Sequence, residues 1–372
     1  MPVPTRVFKR LGVLIEGSQD IYRNKTAMAL LRFRPEDVVC VIDSTLAGCA
    51  SAGEDLDHPI PVVATMAEAI ALGIEWLVIG VATPGGFLPD DLRPPVYEAI
   101  RNRVGVISGL HESVGNDPNL VALAARHAVE LVNLRKPPEY DRVTATGKAR
   151  GTRARRVMTV GTDANIGKTT TALALVRYLQ GLKGAPRTRF VSTSQDGILV
   201  TGRGIAIDRV PADFAAGWTE RLVLEEDRLG AGLLVVEGQN SILSPYSGGT
   251  ALSLLHGACP DAMVLCHNPS RRTLRHTDVP VPPLGDYITM YERLLAPLHP
   301  GRVVAVSLNT CELDERAAAE AVKAAAKATG LPCADPVRGG EAACRVLAEA
   351  LLAACASPAA KPAKALAARS RR

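Results

Sequence analysis

The chain has 372 residues, about twice the length of an average domain, so two folded domains are expected. With 47% hydrophobic and 4% aromatic residues, 32 Gly and 26 Pro, it has an ordinary Ala/Val/Leu-rich α/β composition, which excludes a collagen-like or largely disordered protein. The formal net charge of +5 comes from the last sixteen residues, where Lys361, Lys364, Arg369, Arg371 and Arg372 stand without an acid; taking these five from 43 basic residues leaves 38, matching the 38 acidic ones. No aromatic-interleaved basic stripe or helix-turn-helix signature accompanies that charge, so no nucleic-acid partner is expected.

No apolar run approaches the roughly 18 residues that span a bilayer, and the opening MPVPTRVFKR lacks the apolar core of a signal peptide. A cytoplasmic protein without membrane contact is the expectation. The eight cysteines fall in no CxxC or CxH pairing, which argues against a zinc ribbon, a redox motif or a disulfide framework.

From residue 11, apolar strand-like runs alternate with helix-like segments: LGVLIEG (11–17), DVVCVID (37–43), IPVVA (60–64), EWLVIGVA (75–82) and VGVISGL (104–110). Continuous apolar strands between helices predict a parallel sheet covered on both faces, a Rossmann-like domain over residues 1–134. Ligands of such sheets lie beyond the carboxyl ends of the strands. The informative residues are therefore Glu16, Gly17 and Ser18, then Asp43 and Ser44, Thr83 to Gly86, and His111 with Glu112. The first turn is not GxGxxG; Asp43 can hold a ribose hydroxyl, but an acid at a strand end is also an ordinary cap or turn residue.

Residues 135–156, RKPPEYDRVTATGKARGTRARR, carry eight basic and two acidic residues without apolar periodicity and read as a basic linker. A second α/β domain follows over 157–356. Its strands are expected at RVMTVG (156–161), RFVSTS (189–194), GLLVVEG (232–238), AMVLCHN (262–268) and RVVAVSLN (302–309). ERAAAEAVKAAAKATG (315–330) is a helix with Gly330 at its C-cap. The basic tail, 357–372, is too poor in apolar surface to fold.

The strongest chemical signal is Gly161-Thr162-Asp163-Ala164-Asn165-Ile166-Gly167-Lys168-Thr169-Thr170, after a strand and opening a helix. This is the setting of a phosphate-binding loop: backbone N–H groups and Lys168 would meet phosphate oxygens, and the Thr169 hydroxyl would suit Mg²⁺. Five residues separate the glycines, one more than in the standard loop.

That longer loop resembles the loop of dethiobiotin synthetase, an ATP-dependent enzyme. The resemblance gives Glu237, closing VVEG, the part of a Mg²⁺-serving acid, and Asn309, closing VVAVSLN, the part of a base-reading amide. The wider pattern, TSQDGILVTGRGIAIDRVPADFAAG (193–217), EGQNSILSPYSGGTALSLLHGACPDAMVLCHNPSR (237–271) and LPCADPVRGG (331–340), resembles two-domain P-loop proteins long known only as a domain of unknown function, over about residues 8–350. One branch is the D-glutamate N-acetyltransferase (DgcN) type. The resemblance implies a Rossmann-like domain followed by a P-loop domain, acetyl transfer from acetyl-CoA to the amine of D-glutamate, and a homo-oligomer. The chain departs from the family at Glu237-Gly238-Gln239-Asn240, then Ser244-Pro245, where EGQG or EGQA and His-Pro are usual, and at Thr193-Ser194-Gln195-Asp196-Gly197, where TGQTG is usual.

Three readings follow. In the first, the loop holds the phosphates of acetyl-CoA; His256 and Glu237 are candidate bases, and Gln195, Asp196, Gln239, Arg271 and Arg338 bind a small amino-acid or carboxylic-acid substrate, with Arg272 and Arg275 as further guanidinium candidates. In the second, the loop binds Mg-ATP, with Thr169 and Glu237 at the metal, aided by Asp163 or Asp196, and the enzyme is a ligase or kinase. In the third, the protein senses nucleotide without turnover. Polar residues clustered after many strands favour an enzyme.

Overall fold

The computed structural model describes residues 3, 5–17, 23–48, 59–136 and 142–356. Ser18, Cys49, residues 137–141 of the basic stretch and the tail 357–372 lie outside the described residues. The chain forms two compact units: unit 1 comprises Met1–Asp141 with Ser192–Arg209, and unit 2 comprises Arg142–Val191 with Val210–Arg372.

Unit 1 contains β1 (Leu11–Leu14), α1 (Lys25–Phe33), β2 (Val38–Ile42), β3 (Val62–Val63), α2 (Met66–Ala71), β4 (Trp76–Ile79), α3 (Arg93–Arg101), β5 (Gly105–Ser108), α4 (Pro118–His127) and β6 (Leu131–Asn133). The strands pair in parallel in the order β3-β2-β1-β4-β5-β6. β1 and β5 are buried at every position, because helices cover both faces. In α1 the buried residues Thr26, Ala27, Leu30 and Leu31 recur at helical spacing and turn one stripe to the sheet. Local signals fix the helix starts: Thr65 and Glu68 form a capping box on α2, and the Asp117 carboxylate accepts from the Asn119 and Leu120 amides of α4.

Unit 2 begins with β7 (Arg155–Gly161), α5 (Lys168–Gly181) and β8 (Thr188–Val191). The chain then enters unit 1 at Ser192, forms α6 (Gln195–Thr201) there, and returns at Val210. The rest of unit 2 is α7 (Ala212–Arg228), β9 (Leu233–Val236), α8 (Gly248–Ala258), β10 (Ala262–His267), α9 (Leu284–Leu295), β11 (Arg302–Leu308), α10 (Glu315–Thr329), β12 (Cys333–Ala334) and α11 (Gly340–Ala356). Its sheet is also parallel, ordered β12-β11-β10-β7-β9-β8, so β7 lies in the middle. α10 ends as expected, with Gly330 left-handed at φ +68°.

Two expectations are corrected. The second half of the chain is not wholly one domain, since residues 192–209 belong to unit 1. The basic stretch is only in part a solvated linker: Arg142, Lys148, Arg150 and Arg153 are exposed, but from residue 142 the segment belongs to unit 2 and parts of it pack there. Ala149 is fully buried, Glu220 accepts from the Thr146 amide and hydroxyl at 2.9 Å each, and Arg156 is buried. The Arg156 guanidinium donates to the Cys259 carbonyl at 2.8 Å and to Asp261 Oδ1 at 3.2 Å, so it is an internal ion pair. The hydrophobic-to-polar pattern missed this because a paired arginine in the interior looks, in sequence, like any surface charge.

Candidate functional site

In unit 2 the carboxyl end of the central strand β7 runs into the loop 162–167 and then into α5. Asn165 at φ +52° and Gly167 at φ +100° turn the chain back toward the helix; glycine and asparagine are the residues that adopt this conformation most readily. The loop wraps around Lys168, whose ammonium donates to the Asp163 carbonyl at 2.5 Å and which is only 6% exposed. The N–H groups of the first turn of α5, and the positive end of its dipole, face the same place. Thr170 stands in that turn beside Thr169.

Glu237 follows the last residue of β9 and is fully buried. The Thr169 hydroxyl donates to its Oε1 at 2.7 Å. The next residue must be glycine: a Cβ on Gly238 would stand 1.7 Å from the Thr159 carbonyl oxygen of β7. The Gly238 amide instead donates to Thr159 Oγ1 at 3.0 Å. Gln239 follows, half-buried. On the other flank Asn309, just past β11, abuts the loop, for a Cβ on Gly167 would lie 3.6 Å from the Asn309 Cβ.

Two residues that sequence reasoning missed complete the loop's support. The Tyr291 hydroxyl, from α9, donates to the Gly161 carbonyl at 2.8 Å and accepts from the Gly161 and Ile242 amides at 3.3 and 3.4 Å; burial pushes it up to about 12. His267, at the end of β10, hydrogen-bonds through Nδ1 to Thr162 Oγ1 at 2.9 Å. Burial pushes its imidazole down to about 4, so it is neutral at pH 7. Its place at a strand end next to β7 was the available signal, but the strand order that makes β10 the neighbour of β7 cannot be read from spacing alone.

The structure thus brings Gly161, Thr162, Asp163, Asn165, Gly167, Lys168, Thr169, Thr170, Glu237 and Asn309 to one edge of the unit 2 sheet. Asp163 acts there through its backbone carbonyl. Its carboxylate is taken up by the Ala164 amide at 2.8 Å, the Arg271 guanidinium at 3.1 Å and the Arg275 amide at 2.8 Å, so it anchors the 271–275 loop instead of facing a metal. Arg271 is correspondingly an anchor.

Other candidates lie elsewhere. His256 is in the last turn of α8, with Nε2 3.2 Å from the Leu294 carbonyl, close to the edge where β10 begins opposite Val157. That is the opposite end of the sheet from the loop, so His256 is not the base at this site. Arg338 staples its neighbours, donating to Thr310 Oγ1 and to the Thr310 and Leu313 carbonyls at 3.1, 3.0 and 2.6 Å. Gln195 and Asp196 belong to unit 1, where Asp196 accepts from Thr26 Oγ1 at 2.6 Å and pairs with Lys25 Nζ at 3.5 Å.

A cradle of backbone amides, a buried lysine and a helix N-terminus binds phosphate groups. The Thr169 hydroxyl and Glu237 carboxylate fit the protein's share of a Mg²⁺ shell, which ordinarily takes one or two carboxylates and leaves its other positions to phosphates and water. Among the described residues no group of three or more His, Cys, Asp or Glu is placed to hold a metal ion. Among the same residues no helix is long and apolar enough to cross a membrane.

Residues 143–345 match the P-loop domain DUF1611_C and residues 44–137 the Rossmann-like domain DUF1611_N, both described as domains of unknown function. A protein of Pseudoalteromonas named D-glutamate N-acetyltransferase is 34% identical over 332 residues, covering 88% of this chain and 95% of that protein. One of the same name from Tritonibacter scottomollicae is 34% identical over 330 residues, with the same coverage. The crystal structure of a DUF1611 family protein from Anabaena variabilis superposes with a TM-score of 0.84 at 36% identity, covering 93% of this chain and 99% of that one.

Proposed function

Because this chain belongs to the DUF1611 family, with its Rossmann-like and P-loop domains, we propose that it is an N-acetyltransferase that moves the acetyl group of acetyl-CoA to the amine of a small amino acid such as D-glutamate. The observation that carries the reading is near-full-length likeness to two proteins bearing that activity in their names. The loop around Lys168 supports a cofactor with phosphates, which acetyl-CoA has.

When bound, acetyl-CoA supplies a thioester carbonyl. For acetyl transfer the acceptor's ammonium would first give one proton to solvent; the C–N bond would then form as the C–S bond breaks, and the second proton would go to the departing thiolate. In this reading Lys168 and the loop amides neutralise and fix the phosphates, and Thr169 with Glu237 orders the start of α5. Neither Glu237, buried beneath Thr169, nor His256 serves as the base. Direct attack without an acyl-enzyme is the simpler course, since it needs no covalent step on the protein. Cys266, in register with Gly161, is fully buried and pushed up to about 11 by that burial.

One observation favours a second reading. The Thr169–Glu237 pair is the arrangement that holds Mg²⁺ on a nucleoside triphosphate, as an ATP-dependent ligase or kinase would need. The deciding experiment incubates the purified protein with acetyl-CoA and D-glutamate, following free thiol and the N-acetylated product by mass spectrometry, beside a parallel assay for ATP consumption. Thiol release matched by N-acetyl product is expected. No N-acetylated product, with ATP consumed, would replace the first reading by the second.

A further inference from the structure

The unit 1 sheet order β3-β2-β1-β4-β5-β6 reverses between β1 and β4, the point at which open parallel sheets collect ligands. Several features gather side chains there. The Ala27 amide, in the first turn of α1, donates to the Gly80 carbonyl past β4 at 3.0 Å. A Cβ on Gly86 would lie 2.5 Å from the Cβ of His111, which follows β5, so the two loops touch. A Cβ on Gly109 would lie 2.8 Å from the Gln195 Cγ, which brings the 192–209 segment to the same edge.

The charges at this edge are unevenly spent. Asp196 is buried and satisfied by Thr26 and Lys25. Asp208 pairs through Oδ2 with the buried Arg135 and lies 3.9 Å from His111 Nε2. Its Oδ1 is buried and has no hydrogen-bond partner, although the side chain as a whole keeps 16% of its exposure. Buried polar atoms are nearly always satisfied, so an orphan carboxylate oxygen points to a missing donor. Around it Lys25 and His111 stay partly open, at 32% and 51% side-chain exposure, and Arg209 is exposed. Burial together with Arg135, Arg209 and Lys25 holds the His111 imidazole below its ordinary value, while Asp208 alone pulls it up; the local field is therefore cationic.

We infer that the switch point of unit 1, at Lys25, His111, Asp208 and Arg209, binds the small acidic amino acid, its carboxylates on Lys25 and Arg209 and its ammonium at the Asp208 carboxylate. A molecule with two carboxylates and one ammonium supplies both what the cationic rim attracts and the donor that Asp208 lacks. A phosphate ester would satisfy the rim and leave the orphan oxygen facing a second anion. This inference rests on the acetyl-transfer reading and adds the place and chemistry of acceptor binding.

The test is calorimetric titration of the full-length protein with D-glutamate, L-glutamate and glutarate, which lacks the amine. Lys25→Met and Arg209→Met are expected to weaken both D-glutamate and glutarate at least tenfold. Asp208→Asn is expected to weaken D-glutamate tenfold but glutarate less than threefold. Acetyl-CoA affinity and circular dichroism are measured alongside for Lys25→Met, which takes the ion-pair partner from buried Asp196, and for Arg209→Met, whose side chain is exposed and which decides the matter if the other variants fail to fold; acetyl-CoA affinity should be unchanged in Arg209→Met. D-glutamate affinity within twofold of wild type in both of those variants, or no binding of any of the three acids to wild type, would overturn the inference. Acetylation of D-glutamate by wild type, assayed separately, tells the two failures apart: if it persists only the site is wrong, and if it is absent the acetyl-transfer reading falls as well.

Discussion

The Thr169 hydroxyl and the Glu237 carboxylate, 68 residues apart in sequence, meet at 2.7 Å where α5 begins and β9 ends. The contact ties the phosphate loop to the neighbouring strand of the same sheet, so the loop's shape is set before any ligand arrives. Thr169→Val keeps the side-chain volume but leaves the buried Glu237 short of one donor, which should cost about 1–3 kcal/mol of stability. Acetyl-CoA affinity should fall with it, and Thr169→Ser should restore both. Urea unfolding and calorimetry check this; a valine variant as stable and as tight-binding as wild type would remove Thr169 from the account.

Gly238→Ala tests the register of the same contact. The added methyl would collide with the Thr159 carbonyl, a rigid neighbour, so the end of β9 must move and carry Glu237 away from Thr169. A loss of about 1–3 kcal/mol or more is expected for such overpacking. The thermal midpoint reports it, and acetyl-CoA binding should weaken in the fraction that stays folded.

His267 gives the fold a defined pH dependence. The unfolded chain takes up this proton near the ordinary value of 6.5, whereas the folded chain holds it off until about 4. Between those values the unfolded state binds more protons, so stability is fully present above about 6.5 and falls as pH drops toward 4. The difference amounts to about 3 kcal/mol over the whole window. His267→Gln should flatten the stability curve between pH 4 and 6.5 relative to wild type; parallel curves would show that the imidazole is not sequestered.

Asp261 holds the base of β7. It accepts from the Arg156 amide at 2.8 Å, from the Arg156 guanidinium at 3.2 Å and from His299 Nε2 at 3.0 Å. Burial works to raise its carboxyl, but the His299 and Arg156 contacts outweigh that and keep it below the ordinary carboxylate range. Asp261→Ala strands the buried Arg156 charge and should cost about 3–5 kcal/mol, the usual penalty for breaking an interior ion pair from one side. Chemical denaturation measures it.

Both sheets were legible because their inner strands are unbroken apolar runs such as Leu233–Val236 and Ala262–His267, and the phosphate loop because its chemistry lies within ten consecutive residues, 161–170. The edge strands Leu131–Asn133 and Cys333–Ala334 were not legible, being two or three residues long and only partly buried. Tyr291 and His267 reach the loop only through the order β10-β7-β9, which no local pattern encodes. The contacts of Asp196 with Lys25 and Thr26, 170 residues or more away in sequence, are not encoded in the local TSQDG pattern. His256 and Arg338 looked chemical because histidine and arginine usually are; in the fold one meets a helix-end carbonyl and the other staples a turn.

In the reading proposed above, the loop around Lys168 holds the phosphates of acetyl-CoA. Calorimetric titration of wild type and Lys168→Ala with acetyl-CoA, and in parallel with Mg-ATP, tests it most directly. Wild type should bind acetyl-CoA in preference to Mg-ATP, and Lys168→Ala, still folded by circular dichroism, should lose about 10- to 100-fold in affinity, the value of a charge-assisted hydrogen bond. Unchanged acetyl-CoA affinity in the variant, or tight binding of Mg-ATP alone, would contradict the account.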